Sequence, residues 1–233
     1  MNELYDLADL EMLARDCLTR AGIANAEARI VARDVALSEA VGRSECGFEA
    51  LLRDIRLIRY GRLHADAVPQ ITEPAGVVLH IDAGHGFAAP AIARALPRLI
   101  EMARTKGMAL IHLTRASDPG AMAGAMTDLA TSGLAGLSLR SHGQAFAVRP
   151  SSQRITPFES RPDSVLTSLL ALAPPPQDSP LDGPVNVTGW LGALDPDVTG
   201  VEDILRSLPT DDLPPMRRGI SVAPELLAQI VNA

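Results

Sequence analysis

Between residues 77 and 141 the chain alternates short β-branched runs with helical periods, and few architectures accept that order. Residues 77–81 (VVLHI) read as a strand. After the glycine-rich "DAGHGFAAP", residues 89–106 carry a helical period that turns Ile92, Leu96, Leu99, Ile100 and Ala103 inward, in spite of Pro97. Gly107 stops that helix, "MALIHLT" follows as a strand, "GAMAGAMTDLATSG" as a helix of small residues, and "LAGLSLRS" as a further strand. Strands and helices alternating about every 30 residues are the signature of a βαβαβ unit.

The preceding 65 residues have a different texture. Leu10, Leu13, Cys17 and Leu18 share one face of a helix over 9–20 that ends before Gly22. Asn25 is expected to cap a second helix, with Ile30, Val31, Val35, Ser38 and Val41 in step up to Gly42. A third, over 48–60, carries Leu51, Leu52, Ile55 and Ile58 and stops at Gly61. From about Val68, "AVPQITEP" and "GVVLHIDA" read as two extended runs. Beyond residue 150 a proline-rich connector, "APPPQDSPLDGP", precedes two short helical patterns, "GVEDILRSL" and "APELLAQIV". The expected organisation is an α/β protein with an N-terminal helical segment (1–65), a mixed α/β core (66–150), and a proline-rich connector with a reduced C-terminal part (151–233).

A net charge of −7 opposes nucleic-acid binding, which needs clustered cations. Only Arg53, Arg56, Arg59 and Arg62 recur at i+3, and they read as a solvated helix face. No apolar run approaches the length of a membrane span, and Cys17 and Cys46 show no disulfide pattern, so a cytoplasmic protein with reduced thiols is expected.

Among the titratable residues, the five histidines include no i+3 or i+4 pair, so no metal site is expected. His80 and His112 fall mid-strand. His85 and His142 lie in glycine-flanked loops at strand ends, where open α/β sheets meet ligands, and His142 is a candidate acid or base. The turn Gly84-His85-Gly86-Phe87-Ala88-Ala89 matches the dinucleotide fingerprint at two of its three glycines. Asp118, ahead of the small-residue helix, reads as its N-terminal cap. Cys46 lies in "GRSECG", the joint between the second and third helices. Arg43 there would favour a thiolate, whereas Glu45 and Glu49 oppose it.

The succession "VARDVALSEAVGRSECGFEALLRDIRLIRYGRL" and then "IDAGHGFAAPAIARALPRLIEMARTKGMALIHLTRASDPGAMAGAMTDLATSGLAGLSLRS" resembles the malate/L-lactate dehydrogenase family, oxidoreductases without a Rossmann fold. The likeness covers about residues 5 to 150. It continues more thinly through "SVLTSLLA", "GWLGALDPDVTG" and "LPPMRRGISVAPELLAQIV". It implies NAD(P) as cofactor and a 2-oxoacid or imine as substrate. The family's D-S-H-G joint, which holds its acid/base histidine, falls on Ser44, Glu45, Cys46 and Gly47. Its cofactor-lining N-S-x-H-x-G falls on residues 115–120, giving Ser117, Asp118 and Gly120 as the matched cofactor-binding positions, with Asp118 in place of a histidine. The aspartate that partners the histidine falls on Ser164, beside Asp163, and the late lysine on Arg218.

The resemblance therefore implies a divergent homologue in which Cys46 replaces the catalytic histidine. A thiol is a poorer proton donor at this point than imidazole, and a carboxylate at 118 repels phosphates. Such a chain is expected to be impaired in the reductase reaction and to act as a homodimer, as a subunit beside a paralogue, or as a binder of a small molecule. A working NAD(P)H-dependent reductase, with proton transfer taken over by Cys46, His85 or His142, stays open as the alternative.

Overall fold

The computed structural model describes residues 4–140, 145–152, 154–158, 187–197 and 219–232. Helices α1 (Leu7–Arg20), α2 (Asn25–Ala40) and α3 (Phe48–Arg59) form the first layer. Asp6 caps α1 by accepting the Asp9 N–H at 2.9 Å. Asn25 does not cap α2: it is the first helical residue, and Ala24 precedes it in extended backbone without a side-chain cap. Leu10, Leu18, Val31, Phe48, Leu51 and Ile55 close a core between these helices. Helix α6 (Pro224–Val231), the second of the two late helical patterns, adds Leu227 and Ile230 to that core. Two short strands, β1 (Leu4–Tyr5) and β9 (Ile220–Ser221), pair antiparallel beside it.

Strands β2 (Gln70–Ala75), β3 (Val78–Gly86), β4 (Met108–Ala116), β5 (Ala135–Arg140), β6 (Ala145–Val148), β7 (Ile155–Phe158) and β8 (Val187–Leu194) form one sheet in the order β2-β3-β4-β8-β5-β6-β7. Helix α4 (Ala88–Lys106) joins β3 to its parallel neighbour β4. Pro97 is tolerated inside α4 because it lies on the exposed face. Helix α5 (Ala123–Thr131) leads into β5, yet β5 does not pair with β4. Strand β8 lies between them, antiparallel to both, so the uninterrupted βαβαβ reading holds only for its first half. Pro74 sits in β2 at the sheet edge, where a missing N–H breaks no ladder.

One sheet face packs against α4 and α5 through Ile81, Ile111, Leu113, Leu99, Met126 and Leu191. The other carries His80, His112 and Trp190 side by side; the His112 and Trp190 rings stack at 4.2 Å, and burial holds His112 below the usual histidine range. These two histidines are sheet-face residues, as the mid-strand positions imply. "GVEDILRSL" and most of the proline-rich connector lie outside the described residues.

Gly136 in β5 shows how closely α5 approaches the sheet. A Cβ there would meet Val148 Cγ1 and Met126 Sδ at 2.8 Å and Leu129 Cδ1 at 3.2 Å. Met126 can swing aside, but the cross-strand Val148 is stiff. Gly136→Ala should cost about 1–3 kcal/mol, whereas Gly76→Ala, in open space, should be neutral. Thermal denaturation of the two variants checks this, and equal melting points would contradict the packing.

Candidate functional site

The joint between α2 and α3 is a 3-10 turn over Ser44–Cys46 followed by Gly47. Its shape comes from Glu39, a carboxylate on the last turn of α2 that is almost fully buried. Glu39 Oε1 accepts the Phe48 N–H at 2.7 Å, and Oε2 accepts the Ser44 hydroxyl at 2.7 Å. The first bond satisfies an orphan donor at the start of α3. Burial raises the Glu39 pKa, and these two hydrogen bonds offset part of the rise. Gly47 is required here because a Cβ would lie 2.3 Å from Glu39 Oε1.

That turn sends Cys46 inward. The side chain is 6% exposed, and it packs on Gly120, whose hypothetical Cβ would be 3.0 Å from Cys46 Cβ and 3.5 Å from Sγ. Gly120 also has a φ of +56°, so two independent constraints demand glycine. The corner does not present Cys46 to solvent, because the 117–122 loop closes over it. The Arg43 guanidinium pairs with Glu45 at 3.6 Å and lies 5.5 Å from the Phe146 ring centre.

The 117–122 loop carries the other matched positions, so Cys46, Ser117, Asp118 and Gly120 do converge. Asp118 is not a helix cap. Its Oδ1 accepts the Gly120 N–H at 3.0 Å, and its Oδ2 lies 3.7 Å from Arg53 Nη2. The helix starts later, at Ala123, and it is Asp34 on α2 that accepts the Gly124 N–H, at 2.7 Å. Ser117 is buried; its hydroxyl accepts the Ala88 N–H at 3.1 Å at the start of α4.

Arg53 departs from the arginine stripe: Arg56, Arg59 and Arg62 are exposed, while Arg53 turns in between two carboxylates. Asp54 Oδ1 is 3.4 Å from its Nε, and Asp118 takes the other side. One guanidinium cannot balance two anions in a desolvated pocket. Asp54 is pushed up to about 7, first by burial and then by the Asp118 charge, with Arg53 opposing. Arg53 and Asp54 were missed as site residues in the sequence, although an aspartate among Leu51, Leu52 and Ile55 was a visible irregularity in the apolar stripe.

His85 sits at positive φ (63°), with its ring 5.8 Å from that of His64. His142, Ser164, Asp163 and Arg218 lie outside the described residues. Among the described residues, no three His, Cys, Asp or Glu side chains are grouped to hold a metal ion. No described helix is long and apolar enough to cross a membrane.

A dinucleotide pyrophosphate needs free N–H groups and no fixed anion beside them. At the end of β3 the Gly84 N–H goes to Asp82 Oδ1 at 3.0 Å and a Cβ on Gly86 would meet Ala67 at 2.6 Å, and at the start of α4 the Ala88 N–H goes to Ser117. In the 117–122 loop the Gly120 N–H goes to Asp118. Asp82 is itself held ionised by Arg115. The Gly84, Ala88 and Gly120 N–H groups of these segments are therefore taken by side chains of the chain itself.

With this geometry in place, comparison with known proteins gives a consistent answer. A family model described as malate/L-lactate dehydrogenase matches residues 5–157. A (2R)-3-sulfolactate dehydrogenase (NADP(+)) from Chromohalobacter salexigens is 31% identical over 147 residues, 63% of this chain and 44% of that protein. A Δ1-pyrroline-2-carboxylate reductase from Pseudomonas fluorescens is 30% identical over 166 residues, 70% of this chain and 46% of that protein. The chain spans less than half the length of these two relatives. In fold it is similar to a dehydrogenase from Sinorhizobium meliloti (TM-score 0.73, 15% identity, 100% of this chain and 99% of that one). It is also similar to Δ1-piperideine-2-carboxylate reductase from Pseudomonas syringae (TM-score 0.70, 18% identity, 99% of each chain).

The Asp54 environment yields a signed prediction. Its folded value of about 7 stands above the ordinary 3.8. The native state therefore keeps a proton that the unfolded chain releases, and this contribution is full below about pH 4 and is lost as pH rises through 7. Asp54→Asn should thus stabilise the protein increasingly between pH 5 and pH 8, by on the order of 2 kcal/mol at the upper end. Melting curves at the two pH values test it, and a constant difference would contradict the assignment.

Proposed function

The chain belongs to the malate/L-lactate dehydrogenase family, and from that premise we propose that it keeps the family scaffold without the family's proton transfer. In this reading it binds a small molecule or a partner subunit and does not reduce a 2-oxo or imino acid. The observation that carries it is Cys46, which stands where the family's histidine is expected and is packed under Gly120 by a turn fixed through Glu39. A group that handles a substrate proton must come within hydrogen-bond reach of it. A side chain enclosed between a helix joint and a loop serves packing.

The loops support the same conclusion. Ser117 is bonded to the start of α4, and Asp118 carries a carboxylate at a position that the family resemblance matches to the cofactor site. Assembly as a homodimer or beside a paralogous subunit belongs to this proposal; light scattering on the isolated chain should give about twice 24.6 kDa, or that of a monomer where a paralogue is required.

One observation favours a second reading. Asp54, pushed up to about 7 beneath the same loop and as enclosed as Cys46, would act as a general acid near neutral pH once that loop opens. An active NAD(P)H-dependent reductase of a small imino or 2-oxo acid would then draw its proton from Asp54 and not from Cys46, His85 or His142.

Calorimetric titration with NADH and NADPH, followed by a reductase assay on Δ1-pyrroline-2-carboxylate, separates the two. The first reading predicts no one-site saturation and no cofactor oxidation by folded protein. Micromolar binding with turnover would overturn it. Loss of that turnover in Asp54→Asn, with Cys46→Ser unaffected, would then establish the second.

A further inference from the structure

A cavity of about 520 Å³ opens among α1, α2, α4, α5 and the 117–122 loop. That volume falls in the range of small-molecule pockets. Its walls are helix faces turned towards one space: Arg29, Ile30, Arg33 and Asp34 from α2, and Ala89, Ile92, Ala93 and Leu96 from α4. Both sets follow the i, i+3, i+4 spacing of a single helical face. Helix α5 and the loop before it close the space with Met122, Gly124 and Asp128, and α1 supplies Glu11.

The charged groups divide into those already matched and those left over. Arg33 and Asp128 form a bidentate pair, Nη1 to Oδ2 at 2.9 Å and Nη2 to Oδ1 at 2.7 Å. Each neutralises the other. Asp34 Oδ1 accepts the Gly124 N–H, and its other oxygen takes no hydrogen bond from the described residues. Arg29 and Glu11 make no ion pair among the described residues. Arg29 and two carboxylates without an ion pair of their own among the described residues, Glu11 and Asp34, both within the field of Arg33, thus line the space beside the apolar floor of Ile30, Ile92, Leu96 and Met122.

We propose that this cavity binds a small zwitterion with a large apolar side group, such as an aromatic α-amino acid. The ligand carboxylate meets Arg29, its ammonium meets Asp34 and Glu11, and its side group lies on the aliphatic floor. The lining shares Pro119 and Met122 with the loop that covers Cys46, but it includes neither the helix joint itself nor Arg53, Asp54 or Asp118. Because Met122 and Gly124 belong to or follow the loop that leans on Cys46, an occupant would also brace that loop.

The titratable groups facing the cavity are Glu11 from α1, Asp34 with Arg29 and Arg33 from α2, and Asp128 from α5; α4 contributes none. Asp34 is pushed up to about 6 by desolvation, against the Gly124 N–H and the Arg33 charge. An ammonium at Asp34 therefore binds less well as the pH falls from 7 to 5.

Calorimetry on the full chain with phenylalanine, phenylalaninamide and 3-phenylpropionate tests this without assaying turnover. Phenylalanine should saturate one site per chain. The amide, which lacks the carboxylate, and the propionate, which lacks the ammonium, should each bind roughly 10-fold more weakly. Arg29→Gln, an exposed change that leaves the core intact, should weaken phenylalanine by a similar factor and leave the amide unaffected. Ala93→Phe should abolish binding by filling the space, with its melting point showing that the fold persists. Absence of saturable heat with phenylalanine, or unchanged affinity in Arg29→Gln, would overturn the proposal. A flat affinity between pH 5 and 7 would overturn the assignment of the ammonium to Asp34.

Discussion

The buried carboxylate of Glu39 organises the joint between α2 and α3 on which the candidate site is built. It replaces water for two donors at once, the Phe48 N–H and the Ser44 hydroxyl, and it occupies the space a side chain at residue 47 would need. An anion in that position is costly unless its oxygens are hydrogen-bonded. Both of its oxygens are, so the chain can pass from α2 to α3 in a tight 3-10 turn with one permitted direction for Cys46. The contact of Cys46 with Gly120 follows from that turn, and it draws the 117–122 loop onto the helical layer.

Charge balance around the loop then decides the chemistry. Arg53 is shared between Asp54 and Asp118, and the carboxylate nearer the interior keeps its proton up to about pH 7. On the far side Ser117 ties the loop to the start of α4, where an anion could otherwise meet unsatisfied N–H groups. The loop is thus held by its own side chains at Ser117, Asp118 and Gly120. Ser117 and Asp118, which the family resemblance matches to a cofactor site, each make an internal hydrogen bond here.

Much of the scaffold was readable because its signals are local. The stripes of α1 to α4, the stops at Gly22, Gly61 and Gly107, and strands β3, β4 and β5 all come from periodicity and turn chemistry within short windows. Strand β8 was not readable as the neighbour of both β4 and β5, since its pairing spans more than 50 residues on one side and "VTGWLGAL" carries two glycines. Arg53 was misplaced for a related reason: spacing puts it with Arg56 and Arg59, and only the tertiary position of Asp118 turns it inward. The cap on α5 likewise comes from Asp34, 90 residues away in sequence, and not from the nearby Asp118. The burial of Cys46 depends on Gly120 in the same way, so the residue could be identified as the family position but not as a packed one.

The most direct measurement of the central claim is the alkylation rate of Cys46 in the native protein, followed by peptide mass spectrometry with iodoacetamide, with Cys17 as the buried internal reference. A packing thiol enclosed by Gly120 should be protected as strongly as Cys17 and should react only when the protein unfolds. Rapid native-state labelling of Cys46 alone would show that the thiol opens to a cleft, and would contradict the account.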